Sequence, residues 1–147
     1  MPKTIHQKFQ NPAIKHWCQQ HLLNFCILFG SSVNGPVHAH SDIDIAIESS
    51  LDWAPQKLVL IGELQDILGG EIDLVIFHKD MPPLLLYEIM IKGVPLFVAN
   101  KDIYLEKQIY AIKFYDDVPF LKKWQDLSLK TNLERLKNVT QNYKRKN

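Results

Sequence analysis

The chain has 147 residues, 46% of them hydrophobic and 22% charged, with a formal net charge of +1 at pH 7. That length supports one domain with a real core and leaves little room for two. The composition is that of an ordinary globular protein, and the near-zero net charge gives no bulk electrostatic argument for a nucleic-acid or membrane partner.

Positive charge is uneven: the final "LKNVTQNYKRKN" carries Lys137, Lys144, Arg145 and Lys146 and no acid. This basic tail is expected to assist docking to a partner or to RNA rather than chemistry, the plainer alternative being a frayed, solvated terminus. The two cysteines, Cys18 and Cys26, show neither a metal-ligand spacing nor a disulfide framework, so they read as reduced, partly buried thiols. "MPKTIHQKFQ" at the start has no apolar signal-peptide region, and no apolar run is long enough to span a bilayer. A cytoplasmic protein without membrane contact is the expectation.

In chain order, Asn11 and Pro12 predict the cap and first turn of a helix through "AIKHWCQQHLL". "FCILFG" is a short apolar run ended by glycine, a buried strand. "DIDIAI" alternates with period two and predicts a second strand, antiparallel or mixed, because the loop between is short for a crossover helix. "PQKLVLIGELQDILGG" begins at proline and stops at paired glycines. Leu58, Ile61, Leu64 and Leu68 form its expected apolar stripe. "EIDLVIF" is a third strand, "PPLLLYEIMIKG" a further helix and "VPLFV" a fourth strand. From Asn100 the pattern is helical again, with Ile103, Ile109, Ile112 and Phe114 as core candidates. Pro119 breaks or kinks that segment, and a basic helix follows from about Phe120 toward Lys137. The order predicts an α+β fold: a small mixed sheet with helices mainly on one face, a core over about 11–98 and a helical extension over about 100–147.

Side chains on a strand alternate, so Asp42 and Asp44 share a face while Ile43, Ile45 and Ile47 point into the helical layer. The two carboxylates then stand about 7 Å apart, twice the strand rise. Such a pair is stable in open water or around a cation. Asp73 in "EIDLVIF" shares a face with Glu71 and Val75. If that strand lies beside "DIDIAI", three carboxylates make a hard oxygen site suited to Mg²⁺ or Mn²⁺ bridged to phosphates. The plainer alternative is a solvated sheet face, although aspartate is a poor strand former. A calcium-binding EF-hand loop is excluded, because its required glycine and glutamate positions hold Ile47 and Trp53.

Gly30 ends the first strand. If a helical turn starts at Ser31, its free amides and hydroxyl offer a site for a triphosphate. No Gly-Lys-Ser/Thr follows and the Rossmann glycine spacing is absent, so neither of those phosphate motifs applies. His38 and His40 in the connecting loop read as exposed histidines, with a role in clasping substrate as the alternative, since imidazole suits Zn²⁺ better than Mg²⁺.

Gly30-Ser31, ten residues, then Asp42-Ile43-Asp44 resembles the signature of the DNA polymerase β-like nucleotidyltransferase superfamily. "SDIDIAI" followed by "GEIDLVIF" is similar to its minimal nucleotidyltransferase (MNT) branch, over roughly Phe25 to Val98. The resemblance implies that Asp42 and Asp44 bind two Mg²⁺ ions, with Mn²⁺ as a substitute. Asp73 would complete the site and help activate the acceptor hydroxyl, and Gly30 and Ser31 would hold the phosphates of ATP. Many members of the branch are antitoxins that transfer AMP to a tyrosine of a HEPN ribonuclease toxin, so such a toxin is the implied partner, with nucleic acid not itself the substrate. The chain departs from the family in one respect: "SSVNGPVHAH" lacks the arginines often found in that loop.

Three other functions compete. A small-molecule nucleotidyltransferase of the drug-modifying type usually has a further substrate domain, which a homodimer would have to replace here. A non-catalytic antitoxin acting by contact would not need all three aspartates. A metal-dependent glycosyltransferase needs a much larger nucleotide-sugar domain.

Overall fold

Asn11 caps the first helix as expected: its side-chain oxygen accepts a hydrogen bond from the Ala13 N–H at 3.0 Å, and Pro12 stands in the first turn. The computed structural model describes residues 11–34, 42–116 and 137–138. Its elements are α1 (Pro12–Gln20), β1 (Leu23–Phe29), a short α2 (Ser31–Asn34) and β2 (Ile43–Ser49), then a 3₁₀ turn (Ala54–Gln56) leading into α3 (Lys57–Leu68). They continue with β3 (Ile72–Ile76), α4 (Pro83–Met90), β4 (Val94–Val98) and α5 (Lys101–Asp116). Helix α1 stops short of the expected end. Leu22 takes a left-handed φ of 53°, which turns the chain so that Leu23 enters β1 and is buried.

The four strands form one mixed sheet in the order β3-β2-β1-β4. β1 is antiparallel to both β2 and β4, while β2 and β3 are parallel, with α3 as the crossover between them. The α+β class and the mixed sheet agree with the sequence expectation. The helices, however, divide between two faces rather than gathering on one. Ile43, Ile45, Ile47, Ile72 and Leu74 pack with α1 and α3 through Ile14, Trp17, Leu60 and Leu64. Phe25, Ile27, Phe29 and Ala46 on the opposite face pack with α4 and α5 through Leu86, Tyr87, Ile89 and Ile112. The cause is legible in β1, "LNFCILF", which is apolar on both sides and needs two layers to cover it.

Two of the expected core stripes shift. In α3 the buried residues are Leu60, Leu64 and Leu68, whereas Leu58 is 84% exposed. Leu58 lies about 200° around the helix from Leu60, at about 100° per residue, so the face that buries Leu60 turns Leu58 to solvent. In α5, Gln108, Ala111, Ile112 and Tyr115 are buried, with Ile103, Ile109 and Phe114 half-buried at the flanks. Both cysteines are free and fully buried, and the Cys26 thiol is pushed up by its hydrogen bond to Cys18 and by burial. Pro119, His38, His40 and most of the expected basic helix lie outside the described residues. Lys137 and Asn138 are helical and exposed. Among the described residues, no helix is long and apolar enough to cross a membrane.

Candidate active site

The carboxylates gather where the chain leaves β1 and enters β2. Gly30 follows directly on Phe29, which pairs with Asp44 across the antiparallel ladder. Gly30 has φ of 77°, a conformation open to glycine and strained for other residues. A methyl group built on it would run into the Asp44 carboxylate, with Cγ at 3.0 Å and Cβ at 3.3 Å. Glycine therefore does two things here. It turns the chain, and it leaves room for the Asp44 side chain to lie over the turn. The helix begins at Ser31 as expected, and the Val33 N–H donates to the Gly30 carbonyl at 3.2 Å.

Parallel pairing brings Asp73 of β3 opposite Asp44 of β2. Asp44 is half-buried, Asp73 is exposed, and their carboxyl groups are hydrogen-bonded to one another. Two carboxylates in contact share a proton or require a cation between them. The Asp44 carboxyl is pushed up from its ordinary 3.8 to about 6 by burial, then by the charge of Asp73, the hydrogen bond to it, and the charge of Asp42. Asp42 stands one residue before β2, exposed to solvent and within electrostatic reach of Asp44. Among the described residues, none of the three aspartates is ion-paired to a lysine, arginine or histidine. No three acidic, imidazole or thiol side chains there close around a single metal-sized point. The donor chemistry nevertheless fits a hard divalent cation, with two carboxylates on paired strand positions and a third within electrostatic reach. Asp42, Asp44 and Asp73 are the residues that would hold it.

The profile of the polymerase beta nucleotidyltransferase family matches residues 13–102. The chain belongs to this family. No curated protein matches it. Several solved structures resemble this nucleotidyltransferase. One is a toxin–antitoxin with AMP-PNP, 25% identical with a TM-score of 0.58, over 80% of this chain and 92% of that one. Another is tri-AMPylated Shewanella oneidensis HEPN toxin in complex with MNT antitoxin, 25% identical with a TM-score of 0.57, over 82% and 92%. A mutant of the toxin–antitoxin pair MntA-HpeT has a TM-score of 0.59 at 23% identity over 80% and 92%, a likeness of fold alone.

In this nucleotidyltransferase the structure brings Gly30, Asp44 and Asp73 together, with Ser31 at the adjoining turn and Asp42 exposed just before β2. Sequence reasoning missed Ser32. Its side chain is buried, and its hydroxyl donates to the Asp42 carbonyl at 3.4 Å. The "GSS" doublet does not say which hydroxyl turns inward; only the placement of α2 against β1 and β2 does. A separate cleft of about 390 Å³, lined by Phe77, Met81, Leu86 and Tyr110, lies beyond the far end of β3 from Asp73.

Proposed function

We propose that this nucleotidyltransferase is an antitoxin that transfers AMP from ATP to a tyrosine hydroxyl of a HEPN toxin and so neutralises it. The observation that carries the reading is the contact of the Asp44 and Asp73 carboxyls against the Gly30 turn, in a chain 25% identical to one found with MNT antitoxin and tri-AMPylated HEPN toxin. The structure with AMP-PNP supports ATP as the donor. A cytoplasmic setting agrees with free, buried thiols.

In the proposed reaction the tyrosine oxygen attacks the α-phosphorus in line. A new P–O bond forms, the bond to the β-phosphate oxygen breaks, and pyrophosphate leaves. Asp73, exposed at the start of β3, takes the hydroxyl proton. Gly30 and Ser31 present backbone amides and a hydroxyl to the phosphates. Two Mg²⁺ ions on Asp42, Asp44 and Asp73 would supply the charge stabilisation that the missing loop arginines do not.

The test is the intact mass of the HEPN toxin after incubation with this protein, ATP and Mg²⁺, beside an Asp44→Asn control. A gain of one or more AMP units, absent in the control, is expected. Tight complex formation without any mass gain would replace transfer by neutralisation through contact. No gain and no complex would point to a small-molecule acceptor.

A further inference from the structure

Ser32 and Gln108 are the buried polar side chains of the described residues, at 3% and 9% exposure. Gln108 holds two helices together, donating to the Met90 carbonyl at 3.3 Å. Ser32 turns inward beneath the entry to β2. Its hydroxyl donates to the Asp42 carbonyl, while the next amide, Ile43 N–H, donates to the Glu71 carbonyl at 2.8 Å. The peptide unit between Asp42 and Ile43 is therefore gripped at both ends. One grip comes from the turn after Gly30 and the other from the entry to β3. Asp42 lies outside β2 and is exposed, so the strand ladder alone does not place it.

We infer that Ser32 is a positioning residue: through the Asp42 carbonyl it sets the first carboxylate against Asp44 and Asp73 so that the three can share a divalent cation. The inference rests on the proposed reading of Asp42 as a cation ligand. The physical case is one of order. A carboxylate on a free loop end loses conformational entropy when it captures a cation, and a peptide already held loses less. A buried hydroxyl with a single backbone partner also resists displacement, since breaking that bond would leave it unsatisfied. The same clamp links the Gly30-Ser31 turn to the carboxylates, so that a phosphate on the turn and a cation on the aspartates keep a fixed separation.

The test is direct Mn²⁺ binding without nucleotide, followed by the electron paramagnetic resonance signal of the free ion, with circular dichroism to confirm folding. Ser32→Ala is expected to weaken Mn²⁺ binding about tenfold, the usual cost of removing a group that orients a metal ligand. In an Asp42→Asn background the same substitution is expected to change binding little, because the effect runs through Asp42. If Ser32→Ala does not fold, Ser32→Cys keeps the volume, weakens the donor and decides the matter in the same way. Folded variants that bind Mn²⁺ as tightly as the wild type would overturn the inference. So would an equal loss with and without the Asp42 carboxylate. Transfer to the toxin is read separately on the wild type. Mn²⁺ binding that depends on Ser32 without AMP transfer would sink the transfer reading and support the clamp. Transfer with Mn²⁺ binding indifferent to Ser32 would overturn the clamp alone.

Discussion

The Asp44 side chain lies where a side chain on Gly30 would have to go, so position 30 has no room for anything larger than glycine. Gly30→Ala places a methyl where the Asp44 carboxylate lies and forces a side-chain-bearing residue to φ of 77°. The backbone term alone is about 1–2 kcal/mol. Chemical denaturation of Gly30→Ala is expected to show at least that loss, with AMP transfer falling further than stability because Asp44 must move. Asp44 has its own signature in pH. Its carboxyl binds a proton more tightly in the folded protein, at about 6, than at its ordinary 3.8. Its contribution to stability is therefore complete below about 3.8 and is lost as pH rises through about 6. Thermal melts without divalent ions are expected to show this loss. Asp44→Asn is expected to remove it, to melt higher than the wild type at pH 7, and to transfer no nucleotide.

Helices α1 and α3 are joined by a polar knot as well as by their apolar faces. The Trp17 indole N–H donates to Glu63 Oε2 at 2.9 Å, and His21 Nε2 lies 3.2 Å from the same oxygen. The Trp53 indole N–H donates to the His21 carbonyl at 3.0 Å, which ties in the segment leading to the 3₁₀ turn. Glu63→Ala leaves the buried Trp17 indole without its acceptor. The expected cost is about 1–3 kcal/mol in chemical denaturation, with AMP transfer unchanged because the knot lies on the face away from the aspartates. The elements of this layer were legible from proline and glycine punctuation: Pro12, Gly30, Gly69 and Gly93 all stand at or next to element ends. The phase of α3 was not legible. "KLVLIGELQDIL" is apolar nearly all round, and the choice of Leu60 over Leu58 is made by the sheet it packs on.

For the whole molecule, the sheet is a partition with apolar layers on both faces and an acidic end that closes neither layer. Asp42, Asp44 and Asp73 stand where the helical cover on the α4–α5 face gives way. Together they carry repulsion that folding must offset. A divalent cation that binds only the folded chain stabilises it by mass action, about 1.4 kcal/mol at ten times its Kd. Mg²⁺ is therefore expected to raise the melting temperature of the wild type at pH 7 by a few degrees. In Asp44→Asn that rise is expected to be much smaller, and an equal rise in both would remove the aspartates as its source.

The residues and their spacing determined the order of strands and helices, the α+β class and the identity of the acids. These follow from rules local to the chain: alternation along a strand, fixed φ at proline, and freedom of φ at glycine. Tertiary structure alone decided that β2 and β3 run parallel in the register that sets Asp44 against Asp73. It also decided that helices cover both faces, that Leu58 faces water, and that Ser32 turns inward to the Asp42 carbonyl. Each of these depends on which surfaces meet across long stretches of chain. A periodic pattern shows that a face exists, but not what will be packed against it.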